Sequence, residues 1–341
     1  MLSTRKEDHL RICLQENVRP KRITTGLERY RFVHQALPDI ALDEVQLQTT
    51  FLGKALAAPL LISAMTGGTQ AAQTVNRHLA EAAQAAGIAL CVGSQRAALE
   101  CPDVAQTYRI RDMAPDILLF ANLGAVQLNL SYTVAHCQRA VDMIEADALV
   151  LHLNPLQEAL QPEGDVRFDG LLSKIESVCK KLPVPVVVKE VGYGLSAEVA
   201  RRLVEAGVGA LDVAGAGGTL WGEVERYRIT DPLRHQVAAQ FIDWGIPTAE
   251  SLCLVRGVDP TVPLIASGGV ENGIQVAKCI ALGANVAGMA WPLLQPALLS
   301  AQAVVDAIDV VVGALRVAMF CIGAPTVAAL QNTPFLKEVI E

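Results

Sequence analysis

The sequence predicts a (β/α)8 barrel on three observations. A core of small aliphatic residues is one, eight short apolar runs separated by helical patterns are the second, and polar or glycine residues closing nearly every run are the third. The 341 residues are 52% hydrophobic but only 4% aromatic, so Ala, Val, Leu and Ile must fill the interior. That composition suits parallel strands buried on both faces by helices.

The runs follow in order from about residue 58: "PLLISAM" (59–65), "GIALCVG" (87–93), "DILLFANLG" (116–124), "DALVLHLNP" (147–155), "VPVVVKEVG" (184–192), "GALDVAGAGG" (209–218), "VPLIASGG" (262–269) and "NVAGMA" (285–290). Between them lie amphipathic candidates such as "TVNRHLAEAAQAAG" and "SAEVARRLVEAG", each closing at a glycine, a usual helix stop. Eight strand–helix units close a barrel. A doubly wound open sheet is the alternative, but it more often has five to seven strands and leaves one unit over.

No Pro/Ser-rich or charged linker divides the chain, so 1–341 is expected to form one domain. Two regions stand outside the repeat: residues 1–57, expected to extend over the active site, and residues 215–245, expected to act as a lid-like insertion after strand six. The apolar stretch 303–322 contains Asp306, Asp309 and Arg316 and places Ile308, Val311, Val312 and Leu315 at helical spacing. It reads as a packing helix and not a membrane span.

The formal net charge of -7 argues against a nucleic-acid or anionic-membrane surface. Eight scattered cysteines without a C-x-x-C pair read as small buried hydrophobes in a reducing compartment. The start, "MLSTRKEDHLRICLQENV", carries charge where an export signal has its apolar region, so a cytoplasmic location is expected.

Barrel active sites lie at the carboxyl ends of the strands, so the residues finishing each run form a set. They are Met65, Thr66, Gly67 and Gly68; Ser94, Gln95 and Arg96; Asn122 and Gly124; His152, Asn154, Gln157 and Glu158; Lys189 and Glu190; Gly215, Gly217, Gly218 and Thr219; Ser267, Gly268 and Gly269; and Ala290. Any isolated Ser or Gly among them has a plainer reading as a helix cap or turn residue. Lys189 is harder to dismiss, because a buried lysine requires an anion or an electron-rich ring.

"ASGG" after strand seven has the form of the barrel phosphate site, where backbone N–H groups and a helix N-terminus hold a phosphoryl group. A flavin mononucleotide fits such a rim: one phosphate, and a ring with hydrogen-bonding edges. No G-x-G-x-x-G opens a helix after a strand, so a resident dinucleotide site is not indicated. "TRKEDH" is a second basic feature. It reads either as a solvated start or, folded over the mouth, as Arg5 and Lys6 joining Arg96 around a diphosphate.

In chain order "RKEDH", "HQALPDI", "MTGG", "VGSQR", "NLG", "HLNPLQE" with "QPEGD", "VKEVGYG", "DVAGAGGT" with Trp221, "FIDWGIPT" and "IASGGVENG" resemble the type 2, FMN-dependent isopentenyl-diphosphate isomerases over residues 3–335. The resemblance implies interconversion of isopentenyl and dimethylallyl diphosphate by a 1,3 double-bond shift, with reduced FMN, NAD(P)H (usually NADPH) as reductant and Mg2+. It also implies a homo-oligomer, a tetramer or octamer. Carried over, it implies flavin contacts at Ala64, Met65, Thr66, Ser94, Asn122, Lys189, Thr219, Gly268, Gly269, Ala290 and Trp291. Substrate contacts fall at Arg5, Lys6, Ser94, Gln95, Arg96, His152, Asn154 and Gln157. Of these, Gln157, His152 and Asn154 lie nearest the chemistry, and Glu158 corresponds to the Mg2+ ligand.

Glu158 suits that role, because Mg2+ binds through one or two carboxylates with phosphate and water completing its shell. Gln157 is an amide and a poor base, so it is expected to orient the substrate. Leu220, Glu271 and Gln275 stand where the family commonly has Ser, Arg and Asp. On that basis Glu271→Arg is expected to tighten FMN binding. Two rivals remain at this stage. An FMN-dependent α-hydroxy-acid oxidase wants an H-G-G-R arrangement after strand seven, which "IASGGVENG" lacks, and a non-catalytic flavin barrel is the other.

Overall fold

Eight parallel strands close on themselves in this computed structural model, which describes residues 2–339: β1 Leu60–Ile62, β2 Ala89–Cys91, β3 Leu119–Gly124, β4 Ala148–His152, β5 Val186–Lys189, β6 Ala210–Asp212, β7 Leu264–Ala266 and β8 Val286–Met289. β8 pairs with β1 through Ala287 and Leu60, which completes the ring. Each strand lies inside one of the eight apolar runs. The strands are shorter than the runs because the terminal glycines and polar residues leave the sheet to form the rim.

Alternation along the strands builds two layers. Leu61, Cys91, Phe120, Val150, Val187, Ile265 and Val286 point inward and pack with Phe51 and Leu56 of a hairpin, Thr49–Phe51 with Lys54–Leu56. The alternate residues Leu60, Ile62, Leu119, Leu149 and Leu264 join a larger outer cluster with the helices. Phe120 is the only aromatic residue within the eight strands, in keeping with the aliphatic composition.

The surrounding helices start and stop where local chemistry dictates. The helix Gln70–Ala86 is capped by the Thr69 hydroxyl, which accepts from Ala72 N–H, and ends at Gly87, whose φ of 62° is the left-handed stop glycine adopts freely. The 20-residue helix Ala301–Phe320 packs on it through Val304, Ile308, Val311, Leu315 and Met319, and leaves Asp306 and Asp309 outward. Among the described residues no helix is long and apolar enough to cross a membrane.

Four further helices position the site: α1 Leu2–Gln15, α2 Pro155–Leu160, α3 Trp221–Arg226 and α4 Gly273–Ala281. The segment 30–32 after α1 pairs antiparallel with 336–338. Ile12, Val18 and Val224 form a small buried cluster that docks α1 and its following segment onto α3. The eight cysteines are unpaired.

Candidate active site

The rim surrounds a cleft with three adjoining lobes, all lined in part by Ala64 and Trp221. The first lobe is lined by three cations, Arg5 and Lys6 from α1 and Arg96 from the β2 loop. Arg96 is steadied by Glu100 (2.8 Å) and Asp165 (2.7 Å). Burial, then the neighbouring Arg5, pushes the Lys6 ammonium down to about 8. Three cations lining one lobe suit an anion with several oxygens.

The same lobe is lined by the segment His152–Glu158, which Asp165 joins to Arg96. β4 ends at His152, Asn154 leaves the strand with φ -139° and ψ 48°, and Pro155 opens α2, where its fixed φ and missing N–H suit the first turn. His152 Nδ1 lies 2.9 Å from the Asn122 carbonyl oxygen, whose amide nitrogen donates to Val92 O, so the network assigns the proton to Nδ1. Burial, then Lys189 and Lys6, pushes this imidazole down to about 3. It is therefore a neutral, oriented group.

Asn154 donates to Gln157 Oε1 (3.2 Å) and Glu158 Oε1 (2.8 Å), while its side-chain Oδ1 is buried with no partner among the described residues. Glu158 is buried and also accepts from Gln161 Nε2 (2.8 Å) and Asp165 N–H (2.7 Å). Burial raises its pKa. An orphaned amide oxygen beside a carboxylate is a hard-oxygen pair that fits Mg2+, with substrate oxygens and water supplying the rest. Among the described residues no group of three or more His, Cys, Asp or Glu could hold a metal, so any ion here needs such outside ligands.

Behind Gln157 stands a group the sequence reading did not single out. Gln157 Nε2 donates to Glu225 Oε1 (3.1 Å) on α3; His9 Nε2 lies 2.9 Å from the same oxygen, and Arg228 binds Oε2 at 2.6 Å. Burial opposes the Glu225 charge, but His9, Gln157 and Arg228 outweigh it and hold the carboxyl down to about 2. Held charged, this completely buried carboxylate is a poor base and serves to fix the orientation of the Gln157 amide. Trp221, edge-on to His9 at 5.1 Å, closes the corner.

The second lobe is a glycine cradle. Gly218 and Thr219 from the β6 loop face Gly268, Gly269 and Val270 from the β7 loop. A Cβ on Gly218 would lie 2.4 Å from Gly269 N, and one on Gly268 2.2 Å from Gly215 O. Among the described residues the N–H groups of Gly268, Gly269 and Val270 find no acceptor. Unpartnered amides in a concave loop that leads into α4 form an anion cradle. Thr248 fixes the loop by donating to Gly268 O (2.6 Å).

Between the lobes, Lys189 closes β5 and donates to Glu190 O (2.5 Å). Its strand neighbour Asp212 is buried and accepts from Ser267 Oγ (2.7 Å) and Ala214 N–H (3.2 Å). Ala214 holds φ at 36°, a strained conformation at the cleft lining. The third lobe, beneath α1, is more apolar, with Leu10, Met65, Thr66, Trp291 and Leu294. Cradle, lysine and apolar lobe in sequence fit a flavin mononucleotide: phosphate, ring edge and dimethylbenzene side.

Of the residues singled out from the sequence, Arg5, Lys6, Ala64, Met65, Thr66, Ser94, Arg96, Asn122, His152, Asn154, Gln157, Glu158, Lys189, Thr219, Gly268, Gly269, Ala290 and Trp291 all line the cleft. Gln95 does not. Its side chain is fully buried, donating to Ala140 O (2.8 Å) and accepting from Asn122 N–H (2.9 Å), so it braces the outer layer and cannot contact a substrate.

The three departures also have places. Leu220 is buried and its N–H donates to Val18 O. Gln275 Oε1 accepts from Glu271 N–H (2.8 Å), closing the β7 loop onto α4. Glu271 pairs with Arg19, so Glu271→Arg alone would bring two guanidinium groups together instead of adding a free cation.

A profile of the FMN-dependent dehydrogenases matches residues 2–115 and 165–337. Isopentenyl-diphosphate delta-isomerases of Synechocystis sp. (55% identical, 97% of this chain and 95% of the relative), Nostoc sp. (52%, 98% and 96%) and Stutzerimonas stutzeri (52%, 98% and 97%) align over nearly the whole length. Among solved structures, mandelate oxidase with (S)-2-phenylpropionate superposes with a TM-score of 0.68 over 100% of this chain and 98% of that one, at 20% identity. A Pediococcus acidilactici lactate oxidase does so at 0.67 over 95% and 89%, at 17%. At those identities the likeness to the oxidases is one of fold.

Proposed function

This chain belongs to the type 2 isopentenyl-diphosphate delta-isomerases of the FMN-dependent dehydrogenase family, and from that premise we propose how its cleft interconverts isopentenyl and dimethylallyl diphosphate. The observation that carries the proposal is one lobe lined both by three cations, Arg5, Lys6 and Arg96, and by the linked Asn154, Gln157 and Glu158.

In this reading the diphosphate lies against the cations, and Glu158 with the free Asn154 oxygen holds Mg2+ to it. The glycine cradle takes the flavin phosphate and Lys189 faces the ring. Reduced FMN, when bound, supplies ring nitrogens that exchange protons beside the substrate. Gln157, held by Asn154 and Glu225, would orient the C5 unit for those transfers. Neutral His152, locked by Asn122, orients the substrate and does not protonate it. The helices Trp221–Arg226 and Pro232–Ala239 of the 215–245 insertion, with α1, exclude water. NADPH as reductant, a tetramer or octamer and a cytoplasmic location complete the proposal.

The lysine sets a pH limit. A charge needed for an anion is present below the Lys6 pKa and lost as pH rises through it, so kcat/KM is expected to fall above about pH 8. Lys6→Arg, which stays charged, should move that limb upward in a pH–rate profile; a limb unmoved would belong to another group.

Turnover tests the scheme as a whole. Product from isopentenyl diphosphate is expected only with reduced FMN and Mg2+ together, and turnover with oxidised FMN would overturn it. Glu158→Gln halves the carboxylate's donor set and should raise the Mg2+ needed for half-maximal rate about tenfold or more, read by Mg2+ titration. An unchanged requirement would remove Glu158 from the metal.

A further inference from the structure

The glycine cradle is bordered by a carboxylate: Glu271 directly follows Gly268–Val270 and lines the same lobe. An anion seated on the three free amides would therefore meet a like charge unless a cation intervenes. Two cations line this lobe. Lys189 lies at the β5 end, with its ammonium on Glu190 O. The other is Arg19, whose guanidinium is 2.5 Å from Glu271 and stacks 4.4 Å over the Trp291 ring.

Arg19 comes from outside the strand–helix repeat, and its backbone is pinned at the cradle. Val18 O accepts from Leu220 N–H at 2.9 Å, Asp243 accepts from the N–H groups of Lys21, Arg22 and Ile23, and Thr25 lies against Gly217 and Gly269 closely enough that a Cβ on either would clash. A guanidinium has five donors in a planar fork, so one edge can hold Glu271 while another meets a phosphate.

We propose that Arg19, carried in by the segment after α1 and held by Glu271 and Trp291, is the cation that receives the flavin phosphate. The proposal rests on the FMN reading of the cleft and assigns to one residue the charge balance of its cradle. It also makes cofactor binding and docking of the N-terminal segment reciprocal: each stabilises the other.

The test compares FMN with riboflavin, which has the same ring and no phosphate, by fluorescence quenching on flavin-free protein. Arg19→Gln is expected to raise the FMN Kd about tenfold and leave the riboflavin Kd unchanged. Adding Glu271→Arg to Arg19→Gln restores a cation beside the loop and is expected to recover most of the FMN affinity. An unchanged FMN Kd in Arg19→Gln, an equal loss for FMN and riboflavin, or a double variant no better than Arg19→Gln would each overturn the assignment. A wild-type protein that takes up neither flavin would overturn the FMN reading and this proposal together, which separates the two failures.

Discussion

Gln157→Ala is expected to lower kcat about a hundredfold or more with flavin still bound, the cost of misplacing a substrate by about 1 Å. The amide is held at both ends, Oε1 by Asn154 and Nε2 by Glu225, so it has little freedom and little side-chain entropy left to lose when substrate arrives. Alanine removes that oriented amide and leaves the buried Glu225 anion with one partner fewer, while His9, which also lines the cleft, still reaches the same oxygen at 2.9 Å. The cradle and Lys189 are untouched, so flavin absorbance of the purified variant should match wild type. Lost kcat with retained flavin locates the loss in substrate positioning. A kcat within a few-fold of wild type would show that the amide does not hold the substrate.

Gly268→Ala is expected to raise the FMN Kd about a hundredfold or more. The position holds φ at 101°, where a side chain is strained, and the new Cβ would sit 2.2 Å from Gly215 O and 2.5 Å from Gly215 N. Neither atom can yield without moving the β6 loop off the β7 loop, and the separation also breaks the Thr248 hydrogen bond to Gly268 O. Backbone strain of about 1–3 kcal/mol, together with lost amide alignment, corresponds to that change in affinity. Gly313→Ala in the helix Ala301–Phe320 meets nothing within 4 Å and serves as the control, with flavin affinity unchanged. Equal flavin affinity in Gly268→Ala and wild type, measured by equilibrium titration, would contradict the cradle.

The barrel was legible because each strand is an apolar run ended by residues that cannot stay in a sheet, and because the β7 glycines mark the one place where backbone must approach an anion. The segment His152–Glu158 was legible for a related reason: four polar side chains directly after a buried strand have to face the mouth. Glu225 and Arg19 were not. Glu225 sits in "WGEVER", where alternating acids look like a solvated helix face, and only the fold brings α3 behind Gln157. Arg19 precedes the first barrel strand by some forty residues, and nothing in its neighbours announces Glu271. Gln95 failed the other way, since a residue after a strand can also turn outward, and its amide satisfied the β3 backbone and the adjacent helix before reaching the cleft. The charged start of the chain was ambiguous by composition; its placement as α1 over the cleft depends on Ile12 and Val18 meeting Val224, a contact between segments about two hundred residues apart.

The most direct test is anaerobic incubation of the protein with FMN, NADPH, Mg2+ and isopentenyl diphosphate in deuterated water, followed by NMR. The account predicts dimethylallyl diphosphate carrying deuterium, formed only while the flavin is reduced and without net consumption of reductant per turnover. Bound, reduced flavin with no deuterated product, or a product formed with stoichiometric oxidation of the flavin, would contradict it.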